Sequence, residues 1–154
     1  MTSAEKGAAT FSRRELDAWR GFLRVHAAVV PSLDTDLRHL HGISLSAYEV
    51  LISLESADEG RLRMTELSER LLVTQGGVTR IVDRLVGEGL VRRVQCGDDL
   101  RGFFAEITAS GRRLVETIRP DHHDRVRKVF LDLISPHEQE QLASLWTRFL
   151  AADR

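Results

Sequence analysis

MTELSERLLVTQGGVTRIVDRLVGEGLVRR, residues 64–93, followed closely by QCGDDLRGFFAEITASG, residues 95–111, is the stretch on which the fold turns. Leu67, Leu71 and Leu72 repeat at helical spacing, and after Val73-Thr74-Gln75 so do Val78, Ile81, Val82 and Leu85. Two short helices joined by a tight turn follow from that pattern. Thr65 is expected to open the first, with an incomplete capping box because Ser68, not an acid, stands three positions on. Thr74 is expected to cap the second, which runs from about Gln75 to Val86 and stops at Gly87-Glu88-Gly89. A strand from Leu90 to Cys96 and a return strand from about Phe103 to Ile107 make a hairpin around a six-residue tip with glycine at both ends. A helix sized for the major groove followed directly by a basic hairpin points to double-stranded DNA more strongly than either does alone.

With Val78, Ile81, Val82 and Leu85 turned inward, Gln75, Gly76, Thr79, Arg80, Asp83 and Arg84 remain on the other faces of the second helix. Gln75 and Thr79 stand near its first turns, where base edges are read. Arg80 and Arg84 lie one turn apart, and their rigid forks suit guanine O6 and N7 or a phosphate equally. Gly76-Gly77 costs about 1 kcal/mol per residue relative to alanine inside a helix. Its bareness either admits phosphates or base edges closely or merely loosens the first turn. Asp83 would repel phosphate and is expected to pair with Arg80, Arg84 or a neighbouring helix. On the hairpin tip, Arg101 suits a narrow minor groove, with Asp99 holding its guanidinium.

Outward from this lobe the chain is helical. Leu16, Trp19, Leu23, His26, Val30, Leu33, Leu37 and Leu40 recur in steps of three and four, a long amphipathic helix that Pro31 is expected to kink or divide. His41-Gly42 ends it. Ser44 or Ser46 caps a second helix containing Tyr48, Val50, Leu51, Ile52 and Leu54, and Ser46 with Glu49 has the capping-box pattern. Arg61-Leu62-Arg63 is expected to add a third strand to the hairpin. Thr108 opens a long helix with Gly111 in its first turn and an apolar face of Leu114, Val115, Ile118, His122, Val126, Val129 and Leu133, interrupted at Pro120. Ser135-Pro136, with Glu138 three after the serine, starts a final helix faced by Leu142, Leu145, Trp146, Phe149 and Leu150. The first and last two helices carry more apolar surface than a small lobe needs, and a second copy of the chain is the economical cover. The division expected is a flexible tail at 1–10, dimerisation helices at 11–43 and 109–154, and a winged helix-turn-helix lobe at 44–108. The fold class is mainly α with a small β wing.

The chain has 154 residues, 42% of them hydrophobic, enough for one domain with a real core. Its formal net charge of −1 argues against a protein that coats nucleic acid generally. From Arg61 to Arg101, however, eight arginines face six acids, leaving a local excess of +2. The single cysteine cannot form an internal disulfide, and no apolar run suggests a signal peptide or membrane span, so a cytoplasmic location is expected. No glycine-rich phosphate loop, nucleophile elbow or ordered metal triad suggests an enzyme, and no cofactor is implied.

LSAYEVLISLESA, MTELSERLLVTQGGVTRIVDRLVGEGLVRR and DLRGFFAEITASG together resemble the MarR family of bacterial transcriptional regulators over nearly the whole chain. The third matches the family's wing motif at Asp99, Arg101, Ile107, Thr108 and Gly111, with Leu100 replacing a residue that is often charged and Ile107 replacing a common leucine. The resemblance implies an obligate homodimer joined through its terminal helices, acting on a near-palindromic operator, with a recognition helix in the major groove and Arg101 in the minor groove. It also implies regulation by a small, often aromatic or phenolic effector between the dimer helices and the lobe, where Trp19, His26, Tyr48 and Phe104 are the candidate lining residues. Repression is the expected outcome, and a winged-helix module that binds protein without reading an operator is the competing one. Cys96 near the wing is a candidate redox sensor without a partner cysteine. Asp121-His122-His123-Asp124, His39 and His41 have metal-ligand chemistry, but adjacent helical residues point about 100° apart and disfavour a compact site.

Overall fold

The computed structural model describes residues 10–71, 75–97 and 99–152. Helix α1 spans Arg13–His41 and α2 Leu45–Glu55; strand β1, Arg61–Arg63, leads into α3, Met64–Leu71. Helix α4, Gln75–Gly87, is followed by β2, Val91–Cys96, β3, Asp99–Ile107, α5, Ala109–Val129, and α6, Pro136–Ala152. The three strands form one antiparallel sheet in the order β1-β3-β2, so Arg61-Leu62-Arg63 does supply the third strand. The expected cap Thr74, with Leu72 and Val73 of the turn, Asp98 of the tip and residues 1–9 of the tail, lies outside the described residues.

The core is built around α2, whose Tyr48, Val50, Leu51 and Leu54 are all buried. So apolar a helix has no face to give to water and must be wrapped by the others. Leu67 from α3, Val78, Val82 and Leu85 from α4, Leu62, Val91, Ala105 and Ile107 from the sheet, and Val115 and Ile118 from α5 close over it. Leu33 and Leu37 of α1 are also buried, and Leu37 joins this core.

Of the two outcomes expected at Pro31, a kink or a division, the helix shows no division, and Pro120 does not divide its helix either. Pro31 lies inside an unbroken α1 and Pro120 inside an unbroken α5. A proline's fixed φ is itself helical, so although it removes one hydrogen bond and crowds the carbonyl four residues back, a long helix with a packed face can run through it. Helix α5 nevertheless ends at Val129; Leu133 falls in the short 3-10 turn Leu131–Leu133 and is exposed.

The caps explain the remaining boundaries. A full capping box at Ser12 and Glu15, which the apolar stripe did not reveal, starts α1. Ser44, not Ser46, caps α2, its Oγ accepting from the Ala47 N–H at 3.1 Å, while Ser46 is already helical. Asp34 ties the two helices together: its carboxylate accepts from the Leu45 N–H at 2.8 Å and from the Arg38 guanidinium at 2.7 Å. Those two bonds, the arginine's first, hold the Asp34 carboxyl below the usual aspartate range. Helix α3 begins at Met64, one residue before the expected Thr65, because the Glu66 carboxylate reaches back to accept from the Arg63 N–H at 2.7 Å. Ser135 and Glu138 form the expected reciprocal bonds before α6.

One threonine joins lobe and long helix. The Thr108 N–H donates to the Leu90 carbonyl at 3.0 Å, its hydroxyl donates to the Gly89 carbonyl at 2.7 Å, and the same oxygen accepts from the Gly111 N–H at 3.1 Å. Here glycine is required. A Cβ on Gly111 would stand 2.3 Å from the Leu90 carbonyl oxygen.

Among the described residues, no helix is long and apolar enough to cross a membrane.

Candidate nucleic-acid interface

The first turn and outer face of α4 form the centre of the site. Val78, Val82 and Leu85 are fully buried, and the 3.6-residue period therefore turns Gly76, Thr79, Arg80, Asp83 and Arg84 outward, where all five are exposed. Gly76 is helical, and a Cβ there would meet nothing within 4 Å, so packing within the chain does not require glycine at that position. Arg84 donates to Glu88 one turn on, at 2.9 Å. Arg80 carries no ion-pair partner among the described residues. Gln75 opens the helix and is described by its backbone alone.

Asp83 differs from expectation. Among the described residues it pairs neither with its helical neighbours nor with another helix, but with Arg93 on β2. The sheet explains how Arg93 reaches it. Arg93 is aligned with Ala105, which is aligned with Leu62, and both are buried on the core side. Arg92 is aligned with Glu106 on the opposite side and pairs with it there.

The wing is more tightly paired than a six-residue loop. Strand β2 starts at Val91, which is buried, rather than at Leu90, and β3 already begins at Asp99. Gln95 is aligned with Phe103 and Cys96 with Asp99, so Leu100, Arg101 and Gly102 are extra residues in a bulge on β3. Bulges re-aim what they carry, and this one carries Arg101. Asp99 and Arg101 are described by their backbone alone, which places both near the hairpin's end. Cys96 is buried at the irregularity.

The four candidate effector residues occupy three places. Trp19 and His26 lie on α1 to either side of Phe22, with ring centroids 6.0 and 6.4 Å from it, and Phe22 also meets Trp146 of α6 at 6.0 Å. Tyr48 is in the core, 1% exposed, with the His122 ring edge-on at 4.9 Å. Phe104 lies on the sheet beneath the guanidinium groups of Arg61 and Arg63, at 5.0 and 5.3 Å.

A cleft of about 320 Å³ between α1 and α5 was not anticipated. Leu33, Leu37 and Leu40 form its apolar wall; His41, Asp121, His122 and Arg125 are among its polar groups. His41 Nε2 lies 3.0 Å from the Asp121 carboxylate, and Arg125 pairs with Asp36 while donating to Ser32 Oγ at 2.9 Å. Burial lowers the pKa of His122, and the charge of His123 beside it adds to that. Tyr48 stands directly behind His122, one layer from the cleft. The sequence signal was faint: acids and bases at helical spacing on two remote helices. Among the described residues no three ligating side chains gather as a metal site, including those at 121–124 and His39 and His41.

Comparison with known proteins gives this geometry a context. The model of the MarR family matches residues 41–102, the second helix through the wing. The helix-turn-helix transcriptional regulator YkoM of Bacillus subtilis is 31% identical over 132 residues, covering 86% of this chain and 83% of the relative. Among solved structures, the Streptomyces coelicolor regulator AbsC has a TM-score of 0.86 at 28% identity, covering 94% of this chain and 97% of its own. Sco3205 of the same organism, solved in complex with DNA, has a TM-score of 0.87 at 30% identity, covering 96% and 91%.

Proposed function

The chain belongs to the MarR family of DNA-binding transcriptional regulators, and from that premise we propose that it is an effector-responsive repressor that occupies a near-palindromic operator as a homodimer. The observation that carries the reading is the outward face of α4, bare at Gly76 and presenting the Arg80 guanidinium, which has no ion-pair partner among the described residues, set beside a wing whose bulge carries Arg101. In this proposal Thr74, Gln75, Gly76, Thr79, Arg80 and Arg84 face the major groove. Arg101 enters the minor groove, with Asp99 orienting it. The complex solved for Sco3205 supports transferring DNA binding to this chain.

Dimerisation is supported by what the single chain leaves uncovered. Helix α6 buries none of its residues, and Trp19, Phe22, Trp146, Phe149 and Leu150 remain exposed on α1 and α6. Such a contiguous aromatic surface calls for an apolar partner, and a second copy supplies a matching face by symmetry. Trp19 and His26 would then line a crevice shared by two chains. An aromatic effector in that crevice or in the α1–α5 cleft, acting on Tyr48 through His122, would release DNA if it binds the free dimer more tightly than the bound one. Phe104 would respond through the sheet.

Selection of bound fragments from the source genome, followed by base-resolution footprinting, tests the reading. The expected result is two protected half-sites about one helical turn apart. Arg101→Ala should weaken binding and flatten the preference for narrow minor grooves; an equal loss on every sequence would reassign Arg101 to general phosphate attraction. Absence of any sequence-selective binding would overturn the proposal in favour of a protein-interaction module.

A further inference from the structure

We infer that Asp83 is a positioning residue for operator recognition, fixing the reading helix against the wing through Arg93. The inference rests on the reading of α4 as the DNA-contacting helix. On that helix an exposed carboxylate stands between two arginines meant for a polyanion, and by simple electrostatics it should weaken binding. Its geometry supplies the reason for its presence.

The Asp83 carboxylate has an arginine beside it in sequence and another three residues back, yet it takes a third that lies on a different element. Arg84 is engaged by Glu88, the first residue past the end of its own helix. Arg93 sits on the core-facing side of β2, in line with buried Ala105 and Leu62, and its guanidinium emerges from beneath the sheet to meet α4. Helix α4 ends at Gly87 and β2 starts at Val91, so the backbone joins the two elements through a short turn containing Gly89, whose φ is +72°. Such a turn sets a hinge but not its angle. The ion pair closes the triangle: one turn up the helix from the hinge on one side, two residues along the strand on the other. It thereby fixes how far the face of α4 is rotated relative to the strand that leads to Arg101.

The side chains of Arg93 and Asp83 are 38% and 52% exposed, so the pair contributes little to folding. Its effect falls on geometry. Recognition by two grooves at once needs helix and wing at a fixed separation, and a pair that sets their angle acts on selectivity. Pairing also keeps the Arg93 guanidinium from binding phosphates indiscriminately.

The sign of one substitution separates this role from a charge effect. With the full chain, affinity is measured by fluorescence anisotropy for a selected operator duplex and for a scrambled duplex of the same composition. Asp83→Asn removes a negative charge from the DNA side and should nevertheless weaken operator binding by roughly tenfold. The scrambled duplex should be bound equally or more tightly. Arg93→Gln should also lose operator affinity, the double variant should be no worse than the weaker single, and Asp83→Glu should restore most of the selectivity. Thermal melting, followed in parallel, should move little. Tighter operator binding by Asp83→Asn, or additive losses in the double variant, would overturn the inference while leaving the DNA-binding proposal standing. An unsubstituted protein that prefers no operator over the scrambled duplex would overturn both.

Discussion

Gly111 shows how one hydrogen atom in place of a side chain sets a joint. Alanine there would drive a Cβ into the Leu90 carbonyl, a backbone atom already held by the Thr108 N–H. Gly111→Ala should therefore destabilise the chain by about 1–3 kcal/mol, read as a lower urea midpoint at unchanged slope. The glycine is plain in the sequence, but the approach of Leu90 is a tertiary fact that no local pattern announces. His122 makes a second prediction. Its folded pKa is lowered, chiefly by burial and further by His123, so the unfolded chain binds the extra proton first. The stability it contributes is complete above the ordinary histidine pKa of about 6.5 and is lost as pH falls through the lowered folded value. Urea midpoints at pH 7.5 and 5.5 should differ less in His122→Gln than in the unsubstituted chain, and an undiminished difference would assign the effect to other groups.

At the scale of elements, periodicity told where helices lie better than it told what covers them. The stripe on α1 recurs without a miss, yet Leu33 and Leu37 are buried within the chain while Trp19, Leu23 and Leu40 are exposed. Local spacing encodes that a face is apolar, not whose surface will meet it. The winged lobe was legible because Gly87, Gly89, Thr108 and the apolar repeats all punctuate it within a short span. The tip was not, since glycines at 97 and 102 bracket a bulge as readily as a loop. The partner of Asp83 was hidden for a related reason: arginines next to it in sequence masked the one across the turn. The exposed face of α6 yields a test. Phe149→Glu places a charge in a surface proposed as a dimer seam, and analytical ultracentrifugation should show the dimer dissociating to monomer at concentrations where the unsubstituted chain stays paired. A variant that remains dimeric would move the seam elsewhere.

For the whole molecule, a formal net charge of −1 means that attraction to DNA comes from distribution, not total. Operator affinity should fall linearly with rising salt on logarithmic axes, by about 10³–10⁵ between 50 and 200 mM if each dimer neutralises roughly 6–10 phosphates. A flat salt response measured by anisotropy would argue that phosphates are not the main contacts. The three bonds at Thr108 bear on something other than affinity. They clasp the turn after α4, the root of β2 and the first turn of α5 in a single knot. A residue inserted between Thr108 and Gly111 would rotate everything downstream by about 100° and sever that knot, whereas one added at the far end of the hairpin would only lengthen a finger. Descendants of this chain are accordingly free to vary the reach of the wing, and through it the DNA they settle on, while the length of sequence at its root is held fixed.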